Sequence, residues 1–101
     1  SLLKAADAAV DVTASDFRFE GIPATIAGTK VFFTVKNAGK AAHEFDVKGE
    51  GEIEPFEPGE SETLALALEP GEYTVVCLVK EGDQTHEQMG MKATFTVTGK
   101  S

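Results

Sequence analysis

Residues 91–98 read Met91-Lys92-Ala93-Thr94-Phe95-Thr96-Val97-Thr98. Met91, Ala93, Phe95 and Val97 alternate with Lys92 and three threonines. In an extended chain, a period of two sends successive side chains to opposite faces. Phenylalanine, valine and threonine also favour a pleated, half-buried surface. The stretch therefore predicts a strand with one face in a core and a threonine face in water.

The same period recurs upstream. Val10, Val12 and Ala14 alternate with Asp11 and Thr13, and Phe17 and Phe19 with Asp16, Arg18 and Glu20. Val31, Phe33 and Val35 form a third set, and His43, Phe45 and Val47 a fourth. Leu64, Leu66 and Leu68 alternate with alanines, and Tyr73, Val75 and Cys77 make a further set. Gly21-Ile22-Pro23, Asn37-Ala38-Gly39, Pro58-Gly59 and Pro70-Gly71 punctuate them with turn chemistry. About seven or eight short strands with regular turns predict an all-β sandwich or barrel. The acid-rich run Glu50 to Glu62 reads as a solvated loop or sheet edge. Residues 1–9 read as a tether or short helical turn ahead of a single domain over residues 10–101.

Composition narrows the function. The chain has 101 residues, enough for one core. Leucine, isoleucine, valine and phenylalanine together number 25, above the level of disordered chains. No apolar run approaches the ~20 residues of a membrane-spanning helix. A formal net charge of −8 repels phosphate backbones, which argues against nucleic acid, and suits a basic protein partner. The chain carries no GxSxG, P-loop or HExxH motif, and no third residue declares itself beside a Cys–His pair. It therefore does not read as an enzyme. One cysteine allows no internal disulfide.

Soft metal ligands are scarce: one cysteine, two histidines and two methionines. In order they are His43, Cys77, His86, Met89 and Met91. Each alone reads as ordinary: a satisfied core histidine, a small buried thiol, a solvated loop histidine, a core methionine. Together they form the donor set of a mononuclear copper site: one thiolate, two imidazoles and a weak thioether. Phase supports the set, because His43, Cys77 and Met91 each share the inward phase of their strands. Zinc would accept Cys and two His but leaves the in-phase methionine unexplained.

The run Leu68-Glu69-Pro70-Gly71-Glu72-Tyr73-Thr74-Val75-Val76-Cys77, followed by His86-Glu87-Gln88-Met89-Gly90-Met91, resembles the C-terminal half of a cupredoxin. His43-Glu44-Phe45-Asp46-Val47 resembles that family's first-histidine strand. The resemblance runs from about Val10 to Gly99. It implies a Greek-key β-sandwich and a type 1 (blue) copper protein holding one ion, Cu(I) or Cu(II). It implies His43, Cys77 and His86 as equatorial ligands and Met91 as the axial one, with Met89 as the alternative. Pro70-Gly71-Glu72-Tyr73 resembles the tyrosine corner, with a structural role for the hydroxyl.

Two departures from the family carry expectations. Eight residues separate Cys77 from His86, an enlarged loop able to cover or reshape the copper end. Glu44 stands where many relatives have an asparagine that ties the ligand loops together, which leaves that tie unassigned. The resemblance further implies an electron port at a surface-exposed edge of His86. Ala41, Ala42, Met89 and Gly90, extended by Leu78 and Val79, would surround the port. It also implies redox protein partners, a monomer, and a periplasmic or extracytoplasmic location with any leader or lipid anchor upstream. Two other functions fit the residues: an extracytoplasmic copper carrier or resistance protein, and a metal-free interaction sandwich.

Overall fold

A computed structural model describes residues 6–99. The strands are β1 (Ala8–Ser15), β2 (Arg18–Glu20), β3 (Thr25–Ala27), β4 (Lys30–Asn37), β5 (His43–Val47) and β6 (Gly51–Phe56). They continue with β7 (Ser61–Ala67), β8 (Gly71–Val76), β9 (Lys80–Glu81), β10 (Gln84–Thr85) and β11 (Lys92–Gly99). One sheet has the order β2-β1-β4-β7, and the other has the order β3-β11-β8-β5-β6. β9 and β10 pair as a separate hairpin. The fold is the expected all-β sandwich, with eleven strands because short edge and hairpin strands join the main ones. No helix among the described residues is long and apolar enough to cross a membrane. Strand β1 begins at Ala8, two residues ahead of the alternation. Of residues 1–9, expected as a tether or short helical turn, residues 1–5 lie outside the described residues.

Alternation becomes burial. Along β4 the buried residues are Val31, Phe33, Val35 and Asn37, with more exposed positions between them. Phe33, Phe45 and Phe95 interlock at the centre, with ring centroids 5.1 Å apart for Phe33–Phe45 and 5.9 Å for Phe33–Phe95. Burying a side chain of this size contributes on the order of 1.5–3 kcal/mol. The acid-rich run splits into β6 and β7, which are edge strands of opposite sheets. Charge on an edge discourages pairing with another chain. Between them Glu60 N–H donates to Glu57 O at 3.0 Å. Pro58 and Gly59, with φ +87° at the glycine, fill the two central positions of that turn as a type II turn requires.

Topology gathers the candidate ligands at one end. β5 and β11 both run antiparallel to β8. The start of β5, the end of β8 and the start of β11 therefore share an end of the sheet. His43 opens β5, Cys77 follows β8 and Met91 precedes β11. The β5–β6 register shifts between His43 and Phe45, opposite Pro55. Proline lacks the N–H a regular ladder would use, so an edge-strand bulge is where it fits.

Candidate metal centre

Among the described residues, His43, Cys77 and His86 form a group of donors lying within 4.8 Å of one another, all three buried. His43 Nδ1 lies 3.2 Å from His86 Nδ1. Cys77 Sγ lies 4.0 Å from His43 Nδ1 and 3.5 Å from His86 Nδ1. Bonds of about 2.0 Å to nitrogen and about 2.3 Å to sulfur, as around zinc, put neighbouring donors of a trigonal centre roughly 3.5–3.8 Å apart. The triangle has the dimensions to close on a single ion.

The opposite ring nitrogens support this. His43 Nε2 contacts Asp16 Oδ1 at 2.6 Å, and His86 Nε2 contacts Glu81 Oε1 at 3.3 Å. An ionised carboxylate only accepts, so each contact places the ring proton on Nε2 and frees the Nδ1 lone pair. Two lone pairs and a sulfur then face one another across a few ångströms. That arrangement suits a cation and is poorly suited to an apolar core.

Backbone bonds hold the candidate ligand segments together. His86 N–H donates to Val79 O at 2.8 Å, and Met91 N–H donates to His86 O at 2.9 Å. Cys77 N–H donates to Met91 O at 3.3 Å. Met91 is fully buried in the core, whereas Met89 is 37% exposed. Burial pushes the Cys77 thiol up from its ordinary pKa, and a hydrogen bond from Glu44 N–H opposes the rise. A metal would displace that proton. Burial likewise lowers the His43 pKa, against the opposing pull of Asp16, and so favours the neutral ring a metal needs.

The sequence profile of the cupredoxin-like domain matches residues 2–97. The chain belongs to the cupredoxin-like family. Its fold is similar to that of a dithionite-reduced auracyanin from the photosynthetic bacterium Roseiflexus castenholzii. That match has TM-score 0.69 and 19% identity, and covers 92% of this chain and 98% of the other. Auracyanin B matches with TM-score 0.70 and 19% identity, over 92% of this chain and 90% of the other. A chain from a heme-copper terminal oxidase dimer matches with TM-score 0.67 and 19% identity, over 94% of this chain and 67% of the other. At that identity the likeness is one of fold. No curated protein matches the chain.

In this cupredoxin Glu44 supplies the tie that the missing asparagine left unassigned. Its Oε1 accepts from Leu78 N–H at 3.0 Å, while its own N–H donates to Cys77 Sγ at 3.2 Å. One residue thus grips both the Cys77 sulfur and the start of the long loop. The tyrosine corner is also present: Tyr73 O–H donates to Glu69 O at 2.6 Å.

The exposed His86 edge is corrected. His86 is fully buried. The enlarged loop folds into the β9–β10 hairpin and brings Glu81 onto Nε2, while Phe17 lies against the ring at a centroid distance of 4.6 Å. Of the residues expected around the port, Leu78 and Met89 are the exposed large apolar side chains. Asp16, Phe17 and Glu81 are site residues that sequence reasoning missed as such. Phe17 carried a signal, its alternation with Phe19. Asp16 carried none, since it lies 27 residues from His43.

Proposed function

We propose that this cupredoxin holds one copper ion on His43, Cys77 and His86, with Met91 as the axial ligand, and passes single electrons between redox proteins. The observation that carries the reading is the buried triangle of two Nδ1 atoms and one Sγ, with a carboxylate behind each ring. Copper, when bound, supplies a one-electron Cu(I)/Cu(II) couple. Thiolate, imidazole and thioether donors suit such a site. The fold likeness to a protein crystallised in a reduced state supports a redox role.

The chain's own residues would keep the donors in place through both oxidation states. Asp16 fixes the His43 ring, Glu44 N–H fixes Cys77 Sγ, and Phe17 and Glu81 confine His86. Met91 is preferred over Met89 because it is buried and its backbone joins Cys77 to His86. The net charge of −8 favours a basic protein as partner. The family resemblance supports a location outside the cytoplasm.

The test is addition of one equivalent of Cu(II) to the metal-free protein. The expected result is an intense blue colour that Cys77→Ala abolishes. Met91→Ala should keep copper and shift its potential, while Met89→Ala should leave the potential unchanged. A colourless product from the unaltered protein would defeat the type 1 reading. A copper carrier is the second reading, and the burial of His86 under the hairpin favours it. Electron self-exchange separates the two: rapid exchange belongs to a shuttle and slow exchange to a carrier.

A further inference from the structure

The two carboxylates behind the histidines are not equivalent. Asp16 Oδ1 lies 2.6 Å from His43 Nε2, and Asp16 is itself held by the chain. Its Oδ2 accepts from Lys40 N–H at 2.9 Å, and its Oδ1 accepts from Ala41 N–H at 3.4 Å. Both donors belong to the loop that leads directly into His43. That loop passes very close: a Cβ on Gly39 would sit 2.3 Å from Asp16 Oδ1 and 2.8 Å from His43 Nε2. The absence of a side chain at Gly39 is what lets the carboxylate and the ring meet. Buried Asn37 completes the loop, donating through Nδ2 to Ala41 O at 3.0 Å and accepting at Oδ1 from Gly39 N–H at 2.9 Å.

From this geometry we infer that Asp16 is a positioning residue: it fixes His43 in the Nε2–H tautomer and lowers the reduction potential of copper held at Nδ1. The tautomer follows from donor and acceptor roles. A carboxylate accepts only, so the proton stays on Nε2 and the Nδ1 lone pair points at Cys77 Sγ and His86 Nδ1. The potential follows from charge. A carboxylate bound to the far nitrogen makes the imidazole a more basic ligand. A negative charge beside the site also stabilises Cu(II) more than Cu(I), in proportion to ionic charge. Glu81 stands in the corresponding place behind His86, but at 3.3 Å and on a side chain 50% exposed. Solvent screens that charge, so the dominant influence falls on His43.

The potential rests on the copper reading above; the tautomer does not, and the test keeps them apart. Three proteins are compared: the unaltered chain, Asp16→Asn and Asp16→Ala. Long-range ¹⁵N–¹H correlation in the metal-free protein reads the His43 tautomer, and voltammetry of the copper-loaded protein reads the potential. The unaltered chain should show the Nε2–H form. Asp16→Asn keeps an acceptor oxygen and loses the charge, so it should keep that tautomer and raise the potential. Asp16→Ala loses both: the ring should populate both tautomers, the potential should rise, and copper affinity should fall about 10–100-fold. Asparagine should restore most of that affinity. A His43 Nδ1–H form in the unaltered chain, or one potential shared by all three proteins, would overturn the inference. Failure of all three to bind copper would defeat the copper reading and the potential with it, leaving the tautomer to be decided by the metal-free spectra.

Discussion

His43 and His86 face each other across 3.2 Å, yet they are held in different ways. His43 opens an inner strand of the five-stranded sheet, and its carboxylate is anchored by backbone N–H groups of the preceding loop. His86 sits on a loop, covered by a two-residue-per-strand hairpin, and its carboxylate is half in water. One side is built into the sandwich and the other is laid over it. Equal burial does not mean equal constraint. Constraint depends on how many fixed groups hold each partner, and the sheet supplies more of them than the hairpin does.

Matched glycine substitutions break this comparison most directly. Gly39→Ala drives a methyl group into Asp16 and His43, an overpacking that should cost about 1–3 kcal/mol. Gly82, in the hairpin, has open space around its Cβ and a φ of +64°. Gly82→Ala should cost about 1–2 kcal/mol through backbone conformation alone. Denaturant titration gives both costs, and copper potentials give the contrast: a shift for Gly39→Ala and none for Gly82→Ala. Equal shifts would mean that the two sides are equally constrained.

Phe17→Ala comes next. The ring is closer to His86, at 4.6 Å, than to His43, at 6.1 Å, and it is half-buried. Its loss should cost about 1–2 kcal/mol and admit water chiefly to His86. Hydrogen exchange of the ring N–H should accelerate for His86 and change little for His43. Acceleration at both rings alike would show that Phe17 shields the whole site.

The smallest effect lies on the outer face of β5. Asp46 stands directly opposite Glu52, and Lys48 reaches across to Glu87 on the His86 loop at 3.3 Å. Burial, then the charge of Glu52, raises the Asp46 pKa, so its ionised form costs stability at neutral pH. Asp46→Asn should therefore stabilise the protein at pH 7 by about 0.2–1 kcal/mol. A raised folded-state pKa means the folded chain binds its proton more readily than the unfolded one. The unaltered protein thus regains that stability as pH falls through the raised pKa toward 3.8, and the advantage of the variant disappears. Paired denaturation curves at pH 7 and pH 4 check the sign; a variant advantage that grows on acidification would refute the assignment.

Much of the fold could be read along the chain because period two encodes in and out directly. Phe33, Phe45, Phe95 and the candidate ligands His43, Cys77 and Met91 announced their burial by phase, and all six are buried. His86 had order and spacing but no phase, since it lies on no strand. Its expected exposure failed because loop length does not say where a loop folds. Glu81 is five residues from His86, and only the hairpin register brings it onto the ring.

The all-β sandwich, the scarcity of soft ligands and their order are written along the chain, because alternation, turn residues and composition are local properties. Which carboxylate stands behind which histidine, the Glu44 tie between Cys77 and Leu78, and the covering of His86 emerge only on folding. Asp16 reaches His43 across 27 residues, and Glu44 reaches Leu78 across 34. Contacts at such separations are set by strand order and register, which no local pattern carries.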